Sequence, residues 1–180
     1  MKSGLTLIIV LALIQITKQD CFRQSNSFLK RNHQNVLSYQ AGALISSKLK
    51  NGFNNGNNGV CLRDNLYKIL NDGLPYTACG KGQSISIRLL QKYLLNTLKI
   101  WLWDYGFSEG DRYYNITVYA ILNQGKKNIY VSNSENPAIS QMTIQFQEQY
   151  VDEFEVVNVD GNTFNQGLHI IKVEAYYKFY

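Results

Sequence analysis

From Gln83 onward the chain alternates apolar and polar residues with a period of two, and this constrains its fold more than any other feature. Ile85, Ile87 and Leu89 alternate with Ser86 and Arg88; Tyr114, Ile116, Val118 and Ala120 alternate with Asn115, Thr117 and Tyr119. A β-strand sends successive side chains to opposite faces, so such runs read as half-buried strands. Either face of the Tyr113–Leu122 run could be the inner one. Further strand-like runs cover Thr97–Trp103, Asn128–Ser132, Ser140–Phe146, Glu153–Val159 and His169–Phe179, separated by turn-rich stretches that include Pro137 and Gly161. No amphipathic helix interrupts them. Many short strands without helices predict an all-β fold, an antiparallel sandwich or barrel.

The N-terminal part has a different character. Residues 1–19 carry a lone early Lys2, an apolar run from Leu5 to Ile16 and then polar Thr17-Lys18-Gln19. That is the layout of a secretory signal peptide, which predicts a secreted or lumenal protein. An uncleaved membrane anchor is the alternative, although the run is shorter than the ~20 apolar residues a spanning helix needs. Otherwise no membrane contact is expected. Lys18-Gln19-Asp20 before Cys21 lacks the small apolar residues of a lipobox. Residues 20–60 form an extension that includes the Asn/Gly-rich stretch Asn51–Gly59, an exposed loop with Phe53 as its aromatic tip, and they are expected to supply the first strand of the sandwich. Residues 61–180 make up the domain proper.

In an oxidising compartment the expected disulfide joins Cys61 to Cys79, leaving Cys21 free or bridged to another chain. It would close a loop of about 19 residues and contribute on the order of 3 kcal/mol. The formal charge is +5, and a leader carrying Lys2 and Lys18 would take two of those charges with it. The remaining basic pairs, Lys30-Arg31, Lys48 with Lys50 and Lys126-Lys127, form no stripe that could neutralise many phosphates, so nucleic acid is not an expected partner. No Cys-His spacing suits a metal. His33 and His169 are the only histidines, and neither accompanies a nucleophile, so the chain is not expected to be an enzyme.

Three segments carry a resemblance: Leu98–Asp104 (LKIWLWD), Arg112–Ala120 (RYYNITVYA) and Asn162–Tyr176 (NTFNQGLHIIKVEAY). In order and spacing they resemble the discoidin, or F5/8 type C, superfamily, and most closely the discoidin-like module that follows BTB and BACK domains in BTBD9-type proteins. The likeness spans Gln83–Tyr177. It implies a galactose-binding-like jelly-roll β-sandwich whose ligands are met by loops at one end. No BTB or BACK domain precedes the module in this chain, so their adaptor role does not carry over. Where the family has arginines before its penultimate strand, this chain has Asp152, Glu153 and Glu155.

The resemblance places a ligand at the loop Tyr105–Arg112. Tyr105 and Phe107 could stack on a sugar while Glu109, Asp111 and Arg112 meet its hydroxyls. The bland alternative is that the two aromatics cover the sandwich end and Asp111 pairs with Arg112. Trp101 and Trp103 share a strand face and read as core. Glu174 matches a position that ligates a structural calcium ion in some sugar-binding relatives; no other oxygen cluster accompanies it, so no cofactor is expected. Asn115-Ile116-Thr117 is the one N-glycosylation sequon, which would put that face of its strand outward. The expected function is non-catalytic recognition of a carbohydrate or glycoprotein. The alternative is a structural subunit of a larger protein assembly, contacting other subunits through Tyr177, Tyr180 and Cys21.

Overall fold

The structure, a computed structural model, is described over residues 34–45, 59–62, 65–67, 76–104 and 111–178. The leader, Cys21, His33, most of the Asn/Gly-rich loop, Tyr105, Phe107, Glu109 and Tyr180 lie outside the described residues. From Asn35 onward the chain forms one compact unit. Its strands are β1 (Leu44–Ile45), β2 (Thr77–Cys79), β3 (Ser84–Leu102), β4 (Tyr114–Leu122), β5 (Gly125–Val131), β6 (Met142–Asn162) and β7 (Leu168–Tyr176), with a 3₁₀ turn at Val60–Leu62. Every pairing among them is antiparallel.

Two strands are far longer than the alternation suggests. The expected separate strands around Ile85–Leu89 and Thr97–Trp103 are one continuous β3, and those at Ser140–Phe146 and Glu153–Val159 are one continuous β6. The reason is visible in their register. Ser84–Arg88 pair with Val157–Glu153, and Tyr93–Leu95 with Val151–Gln149. Between them, Leu89 to Lys92 of β3 face only Asp152 of β6. This bulge lets the strand pair turn a corner without breaking, as strands do when they pass from one layer of a sandwich to the other. No glycine or proline marks the corner, so alternation alone loses phase there and reads as two strands.

The corner creates two layers. One holds β1, the first half of β3, the second half of β6, then β4 and β5; the other holds the first half of β6, the second half of β3, β7 and β2. Their inner faces close on one core. Ile85, Ile87, Ile116, Val118, Phe154 and Val156 meet Leu98, Ile100, Ile144, Leu168, Ile170 and Val173. Phe146 and Phe154, from opposite halves of β6, touch edge to face with centroids 6.1 Å apart. Each fully buried large aliphatic or aromatic side chain contributes about 1.5–3 kcal/mol. The β4 ambiguity resolves in favour of Tyr114, Ile116, Val118 and Ala120 as the inner face.

Strand β7 is buried on both faces from Leu168 to Ala175. Its outer side carries a second small cluster, Tyr76, Ala78, Trp101 and Ile171, against which Leu66 and Trp103 pack. Trp101 is therefore interior, as expected, but it belongs to this outer cluster rather than to the main core. The Lys172 ammonium lies 5.4 Å from the centre of the Tyr67 ring. Tyr67 and Tyr176 hydroxyls donate to the two Glu174 oxygens at 2.6 and 2.5 Å.

The expected Cys61–Cys79 disulfide is absent, and both residues are free, buried thiols. Each packs in the main core as a small apolar side chain. The 3₁₀ turn contacts β7, and the Cys61 amide donates to Thr77 Oγ1 at 3.3 Å. Burial pushes both thiols up to about 12.

Candidate functional site at the loop end

Because β3 and β6 turn over the far end, both termini of each return to the same end of the sandwich. The ends of β2, β3, β5 and β6 and the starts of β4 and β7 meet there. Asn158, fully buried, ties them together: its Nδ2 donates to Cys79 O at 3.2 Å and to Gln166 O at 2.9 Å, and its Oδ1 accepts from Gly161 N at 2.6 Å. Trp103 N donates to His169 O at 3.1 Å, and the Tyr114 hydroxyl donates to Trp103 O at 2.7 Å.

Within this end sits a compact aromatic and cationic group. Arg112 is 2% exposed. Its guanidinium stacks 4.5 Å from the Trp103 ring centre and 5.2 Å from that of Phe164. His169 packs edge-on to Tyr76 at 4.8 Å and Trp103 at 5.3 Å, with Nδ1 3.4 Å from the Tyr114 hydroxyl. Gly167 is required beside it, since a Cβ there would come within 2.6 Å of the imidazole. Burial, and then the positive Arg112, lower the His169 pKa to about 4. The ring is neutral at neutral pH and is structural. Burial raises the Tyr114 hydroxyl, so it too stays neutral.

Beside this group lies an open cleft of ≈ 340 Å³ lined by Tyr113, Asn115, Ser132, Asn133, Asp160 and Thr163, among others. A second bulge makes it. Asn115 pairs with Gly161 while Ile116 pairs with Asn158, so Val159 and Asp160 of β6 are looped out of the ladder. The walls are held by their own amides: Asn133 Oδ1 accepts from Glu135 N and Asn136 N at 3.0 and 2.7 Å, and Asn162 Oδ1 from Phe164 N and Asn165 N at 3.0 and 3.2 Å. Thr163 Oγ1 accepts from Tyr113 N at 3.0 Å. Asp160 forms an ion pair with Lys81 across the rim. Tyr113 is 45% exposed, and its hydroxyl donates to Asp111 Oδ2 at 3.2 Å, a bond that raises its pKa.

Of the expected ligand residues, Asp111 and Arg112 fall at this end of the sandwich, while Tyr105, Phe107 and Glu109 lie outside the described residues. Arg112 turns inward against Trp103 and Phe164, and Asp111 accepts from the Tyr113 hydroxyl. The sequence reading missed Tyr113, Ser132, Asn133, Asp160 and Thr163. Tyr113 was accessible to it, since the β4 alternation that buries Tyr114 and Ile116 sends Tyr113 and Asn115 outward. Ser132, Asn133 and Thr163 sit in Ser/Asn-rich turns that announce a loop without saying which loops meet, and Asp160 lies in the β6 bulge.

No protein-family model matches the chain, and no curated protein matches it. Solved structures do. The CBM32 module of AlyQ, in complex with 4,5-unsaturated mannuronic acid, is 14% identical with a TM-score of 0.51, over 76% of this chain and 94% of that one. The family 32 CBM of NanJ from C. perfringens, in complex with galactose, is 14% identical with a TM-score of 0.54, over 76% and 95%. CBM32-1 from a family 31 glycoside hydrolase of Clostridium perfringens is 13% identical with a TM-score of 0.56, over 74% and 93%. At such identities the likeness shows the fold, a galactose-binding-like β-sandwich.

Proposed function

We propose that this chain is a secreted or lumenal, non-catalytic carbohydrate-binding module that receives its ligand in the loop-end cleft. The observation that carries the reading is Tyr113, an exposed ring set in a polar, rigidly looped hollow on a core of neutral or stacked groups. Sugars present an apolar CH face and a rim of hydroxyls, which asks for one aromatic platform and several hydrogen-bonding amides and carboxylates. Tyr113 supplies the platform; Asn133, Asp160 and Asp111 supply polar groups around it. Arg112 works from beneath, holding Trp103 and Phe164 in place. The solved modules of the same fold that carry galactose and an unsaturated uronic acid support a saccharide as the ligand class. No cofactor is required.

A glycan array followed by calorimetry tests this. A saturable sugar ligand is expected, weakened at least about tenfold, or 1.4 kcal/mol, by Tyr113→Ala, with the melting temperature unchanged because the ring is exposed. An array without a hit, or full affinity in Tyr113→Ala, overturns the reading.

A second reading, a subunit of an assembly, is favoured by the opposite end. Leu90 is 73% exposed, Leu44 63% and Tyr150 53%, and all three lie at the corner where β3 turns. Native purification that yields a discrete complex, broken by Leu90→Glu, would support it; a lone monomer would remove it.

A further inference from the structure

Asn115 both lines the cleft and heads the Asn115-Ile116-Thr117 sequon. We propose that Asn115 carries an N-linked glycan whose first sugar lies in the cleft against Tyr113, so that the chain's own glycan competes there with a soluble saccharide. The competition rests on the carbohydrate reading above; the glycan and its position do not.

Residues 113 and 115 both face outward where β4 begins, because side chains two apart on a strand point the same way, while Thr117 further along is buried. A sugar joined to Asn115 therefore starts one strand repeat from an exposed tyrosine ring. The Asn115 amide is exposed and oriented, its Oδ1 accepting from Ser132 Oγ at 3.4 Å. Room for the sugar is the open cleft that Asn115 lines, and the neighbouring strand shapes its wall. The cross-strand partner of Asn115 is Gly161, whose φ is +78° and where a Cβ would stand 2.4 Å from Asn165 O. No side chain can occupy that place without moving the loop. Around the cleft, Ser132, Asn133 and Thr163 offer the hydroxyl and amide groups that an N-acetylhexosamine would meet.

The transfer is a substitution without redox change. A bond forms between Asn115 Nδ2 and the anomeric carbon of the sugar. The bond from that carbon to the diphosphate of a polyprenol-linked oligosaccharide breaks; the lipid diphosphate leaves with the electron pair, and the amide proton passes to base.

The full chain would be expressed through a eukaryotic secretory pathway beside Thr117→Val, which removes the sequon without touching the cleft lining, with Asn115→Gln as a second unglycosylated form should Thr117→Val not be secreted. Intact mass is read before and after N-glycosidase. Hydroxyl-radical oxidation of Tyr113 is read by peptide mapping, with Tyr150 at the other end as internal reference. The expected result is a glycan mass lost only from the parent chain, slower Tyr113 oxidation in the glycosylated form with Tyr150 unchanged, and tighter saccharide binding by Thr117→Val. No mass loss, or equal Tyr113 oxidation in both forms, overturns the proposal. Protection of Tyr113 with no saccharide bound by either form would uphold the glycan's position and remove the carbohydrate-module reading instead.

Discussion

Lowering the pH tests the packing beneath the cleft, because His169 is held neutral there. The imidazole is 1% exposed between Tyr76, Trp103 and Tyr114, and burial with the Arg112 charge brings its pKa from 6.5 to about 4. The unfolded chain takes up a proton near 6.5, whereas the folded chain does not until near 4. Between those values the unfolded state binds more protons, so stability is fully present above pH 6.5 and is lost as the pH falls. The slope is about 1.4 kcal/mol per pH unit, which gives about 2 kcal/mol by pH 5 and about 3 kcal/mol across the whole window. Urea unfolding followed by tryptophan fluorescence at about pH 7.5 and about pH 5 measures it, with His169→Gln as the control that removes the group. The surface pairs Arg88–Glu153 and Lys126–Glu155 contribute little and change in both proteins alike. The parent is expected to lose about 2 kcal/mol more than the variant. Parallel losses would refute the reasoning, since they would mean that His169 is solvated and protonates freely in the folded chain.

Asn158→Ala deletes three hydrogen bonds at the convergence of the loops and leaves the buried Cys79 carbonyl and Gly161 amide without this partner, an expected loss of about 2–4 kcal/mol by chemical denaturation. Phe154→Ala removes the fully buried ring that joins the two layers and is expected to cost about 3–5 kcal/mol. Cys61 and Cys79 are expected to react with a thiol reagent in denaturant without prior reduction and to resist it in the native protein, because burial holds both near a pKa of about 12; an intact bridge in the mass spectrum would refute the free-thiol assignment. Gly161→Ala forces a Cβ into the Asn165 carbonyl at a positive φ and is expected to cost more than about 1 kcal/mol, read as a lowered denaturation midpoint.

The alternation from Gln83 onward was enough to declare an all-β sandwich, because a period of two is a direct projection of strand geometry onto sequence. It failed at Leu89–Lys92, where a bulge carries the strand around a corner and the period slips, and so two long strands read as four. The strand expected at His169–Phe179 is present as β7, although burial on both of its faces removes the alternation. The cysteine pairing came from counting thiols and assuming an oxidising compartment, neither of which knows that the core accepts both as unbridged apolar groups. The cleft was hidden for a different reason. Tyr113, Ser132 and Thr163 come from three separate connections and Asp160 from the β6 bulge, and what brings them together is the pairing register of the strands, a quantity that no local pattern contains.

That register also explains why neighbouring residues have opposite fates. Arg112 and Tyr113 stand side by side, yet one is sealed against Trp103 and Phe164 while the other faces the cleft. The alternation of β4 extends into the residues before it, so a displacement by one position would expose the guanidinium and bury the phenol. What pins the phase is the looped-out pair Val159 and Asp160 together with Gly161, which lets Asn115 and Ile116 keep their partners on either side of the bulge. The bulge thus does two things at once: it keeps Asn115 and Ile116 paired on either side of it, and it shapes the wall of the cleft beside Tyr113. A surface built on such a register tolerates change in the loop residues beyond it, but a residue inserted between Asn158 and Gly161 would alter the bulge that shapes the cleft.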